Sequence, residues 1–356
     1  MSTWDKLAPL RVKIERYDFE ARELSFGEDF TRHTTLITLY GAGEEGVGED
    51  VVYDGEDHFA VREAGPNQPI AGSWTLGSLS EQLAGLDLFP TKEPVREPSR
   101  AYRRWAFESA ALDLGLRQAG RSLPDQVERE LSPLNYVVSM RLGGMPGSGR
   151  PSTTERLMDV LDRYPGTRFK LDPTNDWTDE LIAELVATGA VDSLDLKGQY
   201  KNTPVDVDTD PELYRRCIEA FPDAWLEDPD INDETRPILE PVKHRITWDA
   251  PIHSVDDVLA LEWLPRTVNI KPSRVGSLEG LCRAYDFCEE RAIGAYGGGQ
   301  TELGVGRDHI QYLAALFHPD TPNDVAPGGF NQPQVPDGLP PSPLALEPAT
   351  TGFRFA

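Results

Sequence analysis

The chain is 356 residues long and carries 60 Asp and Glu against 35 Lys and Arg, a formal net charge of −25. With 39% hydrophobic residues, 31 Gly, 30 Pro and three Cys, it is neither a disulfide scaffold nor a low-complexity polymer. No apolar run approaches the ~20 residues that cross a bilayer, and so acidic a surface repels phosphate backbones. Small substrates or metal cations suit it better than membranes or nucleic acids. Cys217, Cys282 and Cys288 are too scattered for a thiolate metal site, and Cys217 and Cys282 fall on apolar helical positions. The N-terminus MSTWDKLAPLRVKIERY lacks the apolar stretch of a secretion signal, so a reducing cytoplasm is expected.

In chain order, the first hundred residues read as a separate module. Leu10, Val12 and Ile14 alternate as in a strand, and Thr34–Tyr40 is rich in β-formers. The stretch GAGEEGVGED then reads as a turn into VVYD, giving a hairpin. Ser78–Phe89 and Ser99–Gly120 have helical periodicity. In the second, Tyr102, Trp105, Leu112 and Leu116 share a stripe, with Gly120 as the stop.

From about residue 134 a unit repeats: a short apolar run, a polar loop, an amphipathic helix. The runs are Tyr136–Leu142, Arg168–Asp172, Ser193–Lys197, Ala224–Glu227, Arg245–Asp249, Thr267–Lys271 and Ile293–Gly297, with a weaker eighth at Asp324–Ala326. Asp210-Pro211 supplies a helix cap, and Ser254 with Asp257 a capping box. Eight such units fit a closed parallel α/β barrel better than an open sheet. The proline-laden stretch after Asn331 (QPQVPDGLPPSPLALEP) reads as extended chain returning over the first module.

The ends of these runs carry the chemistry. Lys170 and Asp172 end the second, Asp195 and Lys197 the third, Glu227 the fourth, Asp249 the fifth and Lys271 the sixth. The C-terminal ends of barrel strands converge on one mouth, where such enzymes work. Asp195, Glu227 and Asp249 therefore face one point with a lysine on either side. Three unpaired carboxylates there repel, and a divalent cation is the simplest remedy. Oxygen ligands favour Mg²⁺, with Mn²⁺ as the alternative, over Zn²⁺.

These residues carry a resemblance. Asp195, the LEDP run around Glu227, TWDAP around Asp249 and NIKPSRVGS around Lys271 resemble the enolase superfamily, nearest its muconate-lactonizing and mandelate-racemase-like branch. RWAFESAALDLGLRQAG is similar to the helix joining that family's cap to its barrel. GAGEEGVGED is similar to its glycine-rich capping loop, and GGGQTELGVGRDHIQYLAAL to its seventh-strand segment. The resemblance implies an α+β capping domain over residues 1–120, with 340–356 returning to it. A (β/α)7β-type TIM barrel then spans 121–339. It implies Mg²⁺ on Asp195, Glu227 and Asp249, and Lys170 and Lys271 on opposite sides of a small carboxylate substrate. One lysine takes the α-proton while the cation stabilises the resulting enediolate, and a nearby cation with partial burial lowers that lysine's pKa.

The chain departs from the family at three places. Asp172 stands where a second lysine is usual, Lys197 where Asn is usual, and Ala250 where an acid is usual. Reading Arg168-Phe169-Lys170 as the basic pair is a second register for the first departure. Asp172 and Lys197 each lie two residues past an inward residue, so both are expected at the mouth, within reach of each other. Tyr296–Gln300 reads as a tight turn making room for substrate, with a phosphate cradle as the alternative, and Gln300 and Glu302 as auxiliary residues near the site. The specificity loops are expected near Phe26–His33 and Val51–Tyr53.

Two lysines on opposite faces favour a racemase or epimerase. A dehydratase or cycloisomerase of the same superfamily is the alternative. Less favoured are an aldolase using Lys271 as a Schiff base and a barrel that binds without catalysis. A homo-oligomer is compatible with all of these.

Overall fold

The computed structural model describes residues 1–26, 30–145, 148–201 and 203–356. Near the N-terminus β1 (Arg11–Ile14) buries Val12 and Ile14 in alternation, as read from the sequence. Next come β2 (Arg16–Ser25), β3 (Thr31–Gly41) and β4 (Glu44–Asp50), an antiparallel meander. β5 (Gly72–Thr75) pairs antiparallel with β1. The glycine-rich segment differs from the turn expected of it. The turn is only Ala42–Gly43, and residues 44–50 form β4 itself. The reason is steric: a Cβ on Gly46 would stand 2.3 Å from the Ala110 carbonyl oxygen, and one on Gly48 2.0 Å from that of Ala106. The glycines let β4 lie directly on the helix Ser99–Gln118, which buries Tyr102, Trp105, Leu112 and Leu116 as expected. The other expected helix is shorter, Leu76–Ala84, and Gly55–Ala64 forms a helix the sequence reading did not identify.

Seven short parallel strands follow: β6 (Val138–Met140), β7 (Phe169–Leu171), β8 (Val191–Asp195), β9 (Trp225–Glu227), β10 (Ile246–Thr247), β11 (Thr267–Ile270) and β12 (Gly294–Gly297). β6 to β10 are neighbours in order, and β11 pairs with β12. Single backbone bonds close the ring. Asn269 N–H donates to the Trp248 carbonyl (3.0 Å), Asp324 N–H to Gly297 (2.9 Å) and Val137 N–H to Asn323 (2.8 Å). Asn323–Asp324 thus stands in the eighth position, between the chain at Gly298 and at Tyr136. The strands from β6 to β12 are almost wholly buried, as expected where helices cover a parallel barrel.

Helices on the outside start at the expected caps. The Asp210 carboxylate accepts from Glu212 N–H (2.8 Å), and the Ser254 hydroxyl oxygen from Asp257 N–H (3.3 Å). The C-terminal stretch pairs Leu344 with Leu134, then reaches the helix Ser99–Gln118, where Phe353 N–H donates to Asp113 (2.8 Å). All three cysteines are buried and unbridged, and no described helix is long and apolar enough to cross a membrane.

Candidate active site

Lys170 lies within β7, Asp195 and Glu227 are the last residues of β8 and β9, Asp249 follows β10 by two residues, and Lys271 follows β11 directly. All five are buried, the three acids completely. The barrel brings them together. Lys170 Nζ pairs with Glu227 and, at 3.3 Å each, with Asp195 and Asp324. Lys271 Nζ donates to Asp249 Oδ2 at 2.8 Å. Strands β8, β9 and β10, which carry the acids, stand between the strands of the two lysines. Arg168 of the other register points away and pairs with Asp192 on β8.

Asp195, Glu227 and Asp228 each offer a carboxylate oxygen, all within 4.8 Å of one another. Asp228 was not foreseen. Adjacent strand residues point to opposite faces, but Asp228 has φ +50°, which breaks the alternation. Both its oxygens accept backbone N–H bonds at 2.8 Å, from Asp249 and Ala250. Asp249 itself accepts from Lys271, from the Tyr200 hydroxyl (2.8 Å) and from the Arg274 guanidinium. The Tyr296 hydroxyl donates to Glu227. Tyr200 was also missed, as were the contacts of Arg274, Tyr296 and Asp324, which lie in segments the sequence singled out without assigning them to the site. None ends an apolar run, so only the tertiary fold reveals them.

Burial and the neighbouring acids push Glu227 well above the usual carboxylate range, and push Asp228 up to about 7. Burial acts the same way on Asp195, but Lys197 and Lys170 outweigh it and hold Asp195 low. Asp249 is held well below its ordinary value, since Arg274 and Lys271 overcome its burial. For Lys170, burial pulls the pKa down, but Glu227, Asp195 and Asp324 raise it well above that of an ordinary lysine. This crowding of buried acids, all oxygen donors, fits a divalent cation of the Mg²⁺ type.

Asp172 and Lys197 meet as expected, 3.4 Å apart, although Lys197 lies beyond β8 with φ +54° and so reaches Asp172 from a turn. Lys197 also pairs with Asp195, and Arg141 approaches Asp172 at 3.5 Å. Gly298 leaves room for a lysine: a Cβ there would stand 2.5 Å from Lys271 Cε. Gln300 and Glu302 are buried close by, where the Gln300 amide donates to the Tyr102 hydroxyl at 3.3 Å. Of the expected specificity loops, residues 27–29 lie outside the described residues, whereas Val51 and Val52, directly after β4 in the N-terminal module, are buried.

A family described as "Domain of unknown function (DUF8230) C-terminal domain" matches residues 130–332, and its N-terminal counterpart matches 5–126. An o-succinylbenzoate synthase of Geobacillus kaustophilus is 26% identical over 330 residues, 85% of this chain and 79% of the relative. An N-succinylamino acid racemase of Thermus thermophilus is 26% identical over 326 residues, covering 85% and 81%. A solved enolase-superfamily structure from Listeria innocua aligns with a TM-score of 0.63 at 19% identity, over 89% of this chain and 86% of that one. A matching model over each domain shows the family: the chain belongs to the DUF8230 family, and its fold is that of solved enolase-superfamily structures.

Proposed function

We propose that this protein racemises or epimerises a small carboxylate by removing and returning its α-proton. The observation that carries this reading is the placement of Lys170 and Lys271 on either side of the acid-bearing strands β8, β9 and β10. Each lysine then serves one face of the α-carbon, which a 1,1-proton transfer requires. A lysine base beside a divalent cation is the arrangement known for enolase-superfamily sites.

Asp195, Glu227 and Asp249 would hold the cation, with Mg²⁺ preferred over Mn²⁺. Asp228 braces the turn that aims Asp249, because both its oxygens already accept backbone amides. Bound there, the cation would stabilise the charge that develops on the substrate carboxylate as the proton leaves. The chain's own groups do the rest. Lys170 takes or returns the proton on one face once the charges of Glu227 and Asp195 are balanced, since those acids hold its proton in place. Lys271 acts on the other, kept in place by Asp249 (2.8 Å) and by the space at Gly298. Asp172 and Lys197 are auxiliary, lining the strand-two and strand-three side of the mouth. Gln300 and Glu302 are auxiliary on the strand-seven side. The three buried thiols accord with a reducing cytoplasm.

The relatives' names suggest the substrate class, a carboxylate bearing a succinyl group such as an N-succinylamino acid. The second reading is a dehydration of o-succinylbenzoate-synthase type, which needs one base. The test is incubation of both enantiomers of a set of N-succinylamino acids with Mg²⁺ in deuterium oxide, followed by NMR at the α-carbon. Wild type should exchange both enantiomers, Lys170→Ala one and Lys271→Ala the other. Equal loss of both in either variant would favour the one-base dehydration, and no exchange in wild type would overturn the racemase reading.

A further inference from the structure

Two buried charges of the N-terminal sheet grip the segment that follows β12. Arg32 on β3 is fully buried, and its hydrogen bonds go to backbone carbonyls. It donates to Val51 (2.6 Å) and Val52 in the cap, and to Gln300 (3.0 Å) and Thr301 (3.2 Å) in the barrel. Its guanidinium also lies 4.6 Å from the Tyr53 ring centroid. One side chain therefore ties the loop Val51–Tyr53 to the start of the barrel segment.

Glu49 on β4 grips the far end. Its carboxylate accepts from the N–H groups of Leu303 (2.7 Å), Gly304 (3.0 Å) and Gly306 (2.8 Å). These amides open the helix Val305–Phe317, whose cap residue, Gly304, has no side chain to satisfy them. The first amides of a helix lack internal partners and carry partial positive charge. Glu49 supplies the missing cap from a distant part of the chain. Glycine permits the approach, since a Cβ on Gly306 would lie 2.8 Å from Glu49 Oε2. Between the two grips lies Glu302, which accepts from Gln300 N–H (2.6 Å) and pairs with Arg307 (3.0 Å), while the Gln300 side chain donates to Tyr102 (3.3 Å).

We propose that Arg32 and Glu49 are positioning residues that hold the cap loop Val51–Tyr53 and the barrel segment Gln300–Gly306 as one wall of the substrate site. The kinetic consequence rests on the racemase reading above; the mechanical coupling does not. A shifted wall weakens substrate fit and leaves proton transfer at Lys170 and Lys271 intact, so KM rises while kcat holds.

The test uses Glu49→Gln, which keeps shape and loses charge, and Arg32→Lys, which cannot reach all four carbonyls. Amide hydrogen exchange by mass spectrometry reads the wall, with peptides of β6–β9 as the internal control. Glu49 bonds only residues 303–306 of the segment, yet Glu49→Gln should speed exchange about tenfold at 300–302 and also at 51–53. Exchange that rises only at 303–306, or nowhere, overturns the single-wall proposal. This arm decides the coupling whether or not the racemase reading holds, and Glu49→Gln suffices alone if Arg32→Lys does not fold. In the second arm, α-proton exchange from N-succinylamino acids should show KM raised at least fivefold with kcat within twofold. A fall in kcat at unchanged KM overturns the positioning role.

Discussion

Asp228 and Asp249 show how far single residues could be read from the sequence. Lys170, Asp195, Glu227, Asp249 and Lys271 were legible because each is a charged residue closing an apolar run at the period of a βα unit. Asp228 was not, because its placement depends on one left-handed backbone angle, φ +50°. Tyr200 sits in the loop after β8, Arg274 in the short helix Pro272–Val275 and Asp324 in the eighth barrel position, and no local pattern aims their side chains at the acids. The two acids compete for the third ligand position, and their partners separate them. Asp228 has both oxygens committed to rigid backbone amides (2.8 Å each), whereas Asp249 is held by Lys271, Arg274 and Tyr200, side chains able to move aside. Asp249→Asn should therefore weaken Mg²⁺ binding at least about tenfold, roughly 1.4 kcal/mol, and also lower stability, since buried Lys271 and Arg274 lose their counter-charge. Asp228→Asn should leave one amide without an acceptor and cost about 1–3 kcal/mol of stability, with a smaller effect on Mg²⁺. Calorimetric Mg²⁺ titration and urea unfolding of both variants check this, and the reverse order of Mg²⁺ losses would make Asp228 the ligand.

Whole elements were more legible where burial is two-sided than where close contact decides. The barrel strands stood out as short apolar runs, although most are shorter than read, as β6 (Val138–Met140) within Tyr136–Leu142 shows, and β8 (Val191–Asp195) starts two residues before Ser193–Lys197. Hydrophobicity marks which residues are buried, while backbone pairing, which ends a strand, leaves no such mark. β4 was misread for a physical reason. Its glycines resemble turn residues, yet they serve close packing, and the contact is with the backbone of the helix Ser99–Gln118. A side chain can rotate away from an intruding methyl group, but a helix carbonyl cannot. Gly48→Ala, whose Cβ would lie 2.0 Å from the Ala106 carbonyl oxygen, should thus destabilise the protein by about 3 kcal/mol or more. Gly43→Ala offers the contrast: nothing lies within 4 Å of its Cβ, so only its φ of +84° opposes the change, at a cost of about 1–2 kcal/mol. Urea midpoints of the two variants should differ in that order. Equal losses would mean that β4 can lift off the helix.

The molecule is joined across its length by contacts between distant segments, and the C-terminal stretch makes one that pH should expose. Phe353 stacks on His309 at 4.2 Å between ring centroids and 5° between planes, in the helix that Glu49 caps. His309 is fully buried, and neither ring nitrogen has a hydrogen-bond partner among the described residues. Burial, with Arg354 adding to it, pushes its pKa down to about 3. The unfolded chain takes up the proton near pH 6.5. The unfolded state thus binds more protons between those values, and stability is complete above pH 6.5 and lost as pH falls towards 3. At pH 5 this one ring costs about 2 kcal/mol, from 1.36 kcal/mol per pKa unit. His58, His253 and His318 are also held low by burial, and they remain in any variant of position 309. His309→Phe keeps a flat ring against Phe353 and removes only the titrating group. Between pH 7.5 and pH 5, urea unfolding should show wild type losing about 2 kcal/mol more stability than His309→Phe. Equal losses in the two proteins would mean that the ring reaches water, and that the tail carrying Phe353 opens well below the global unfolding free energy.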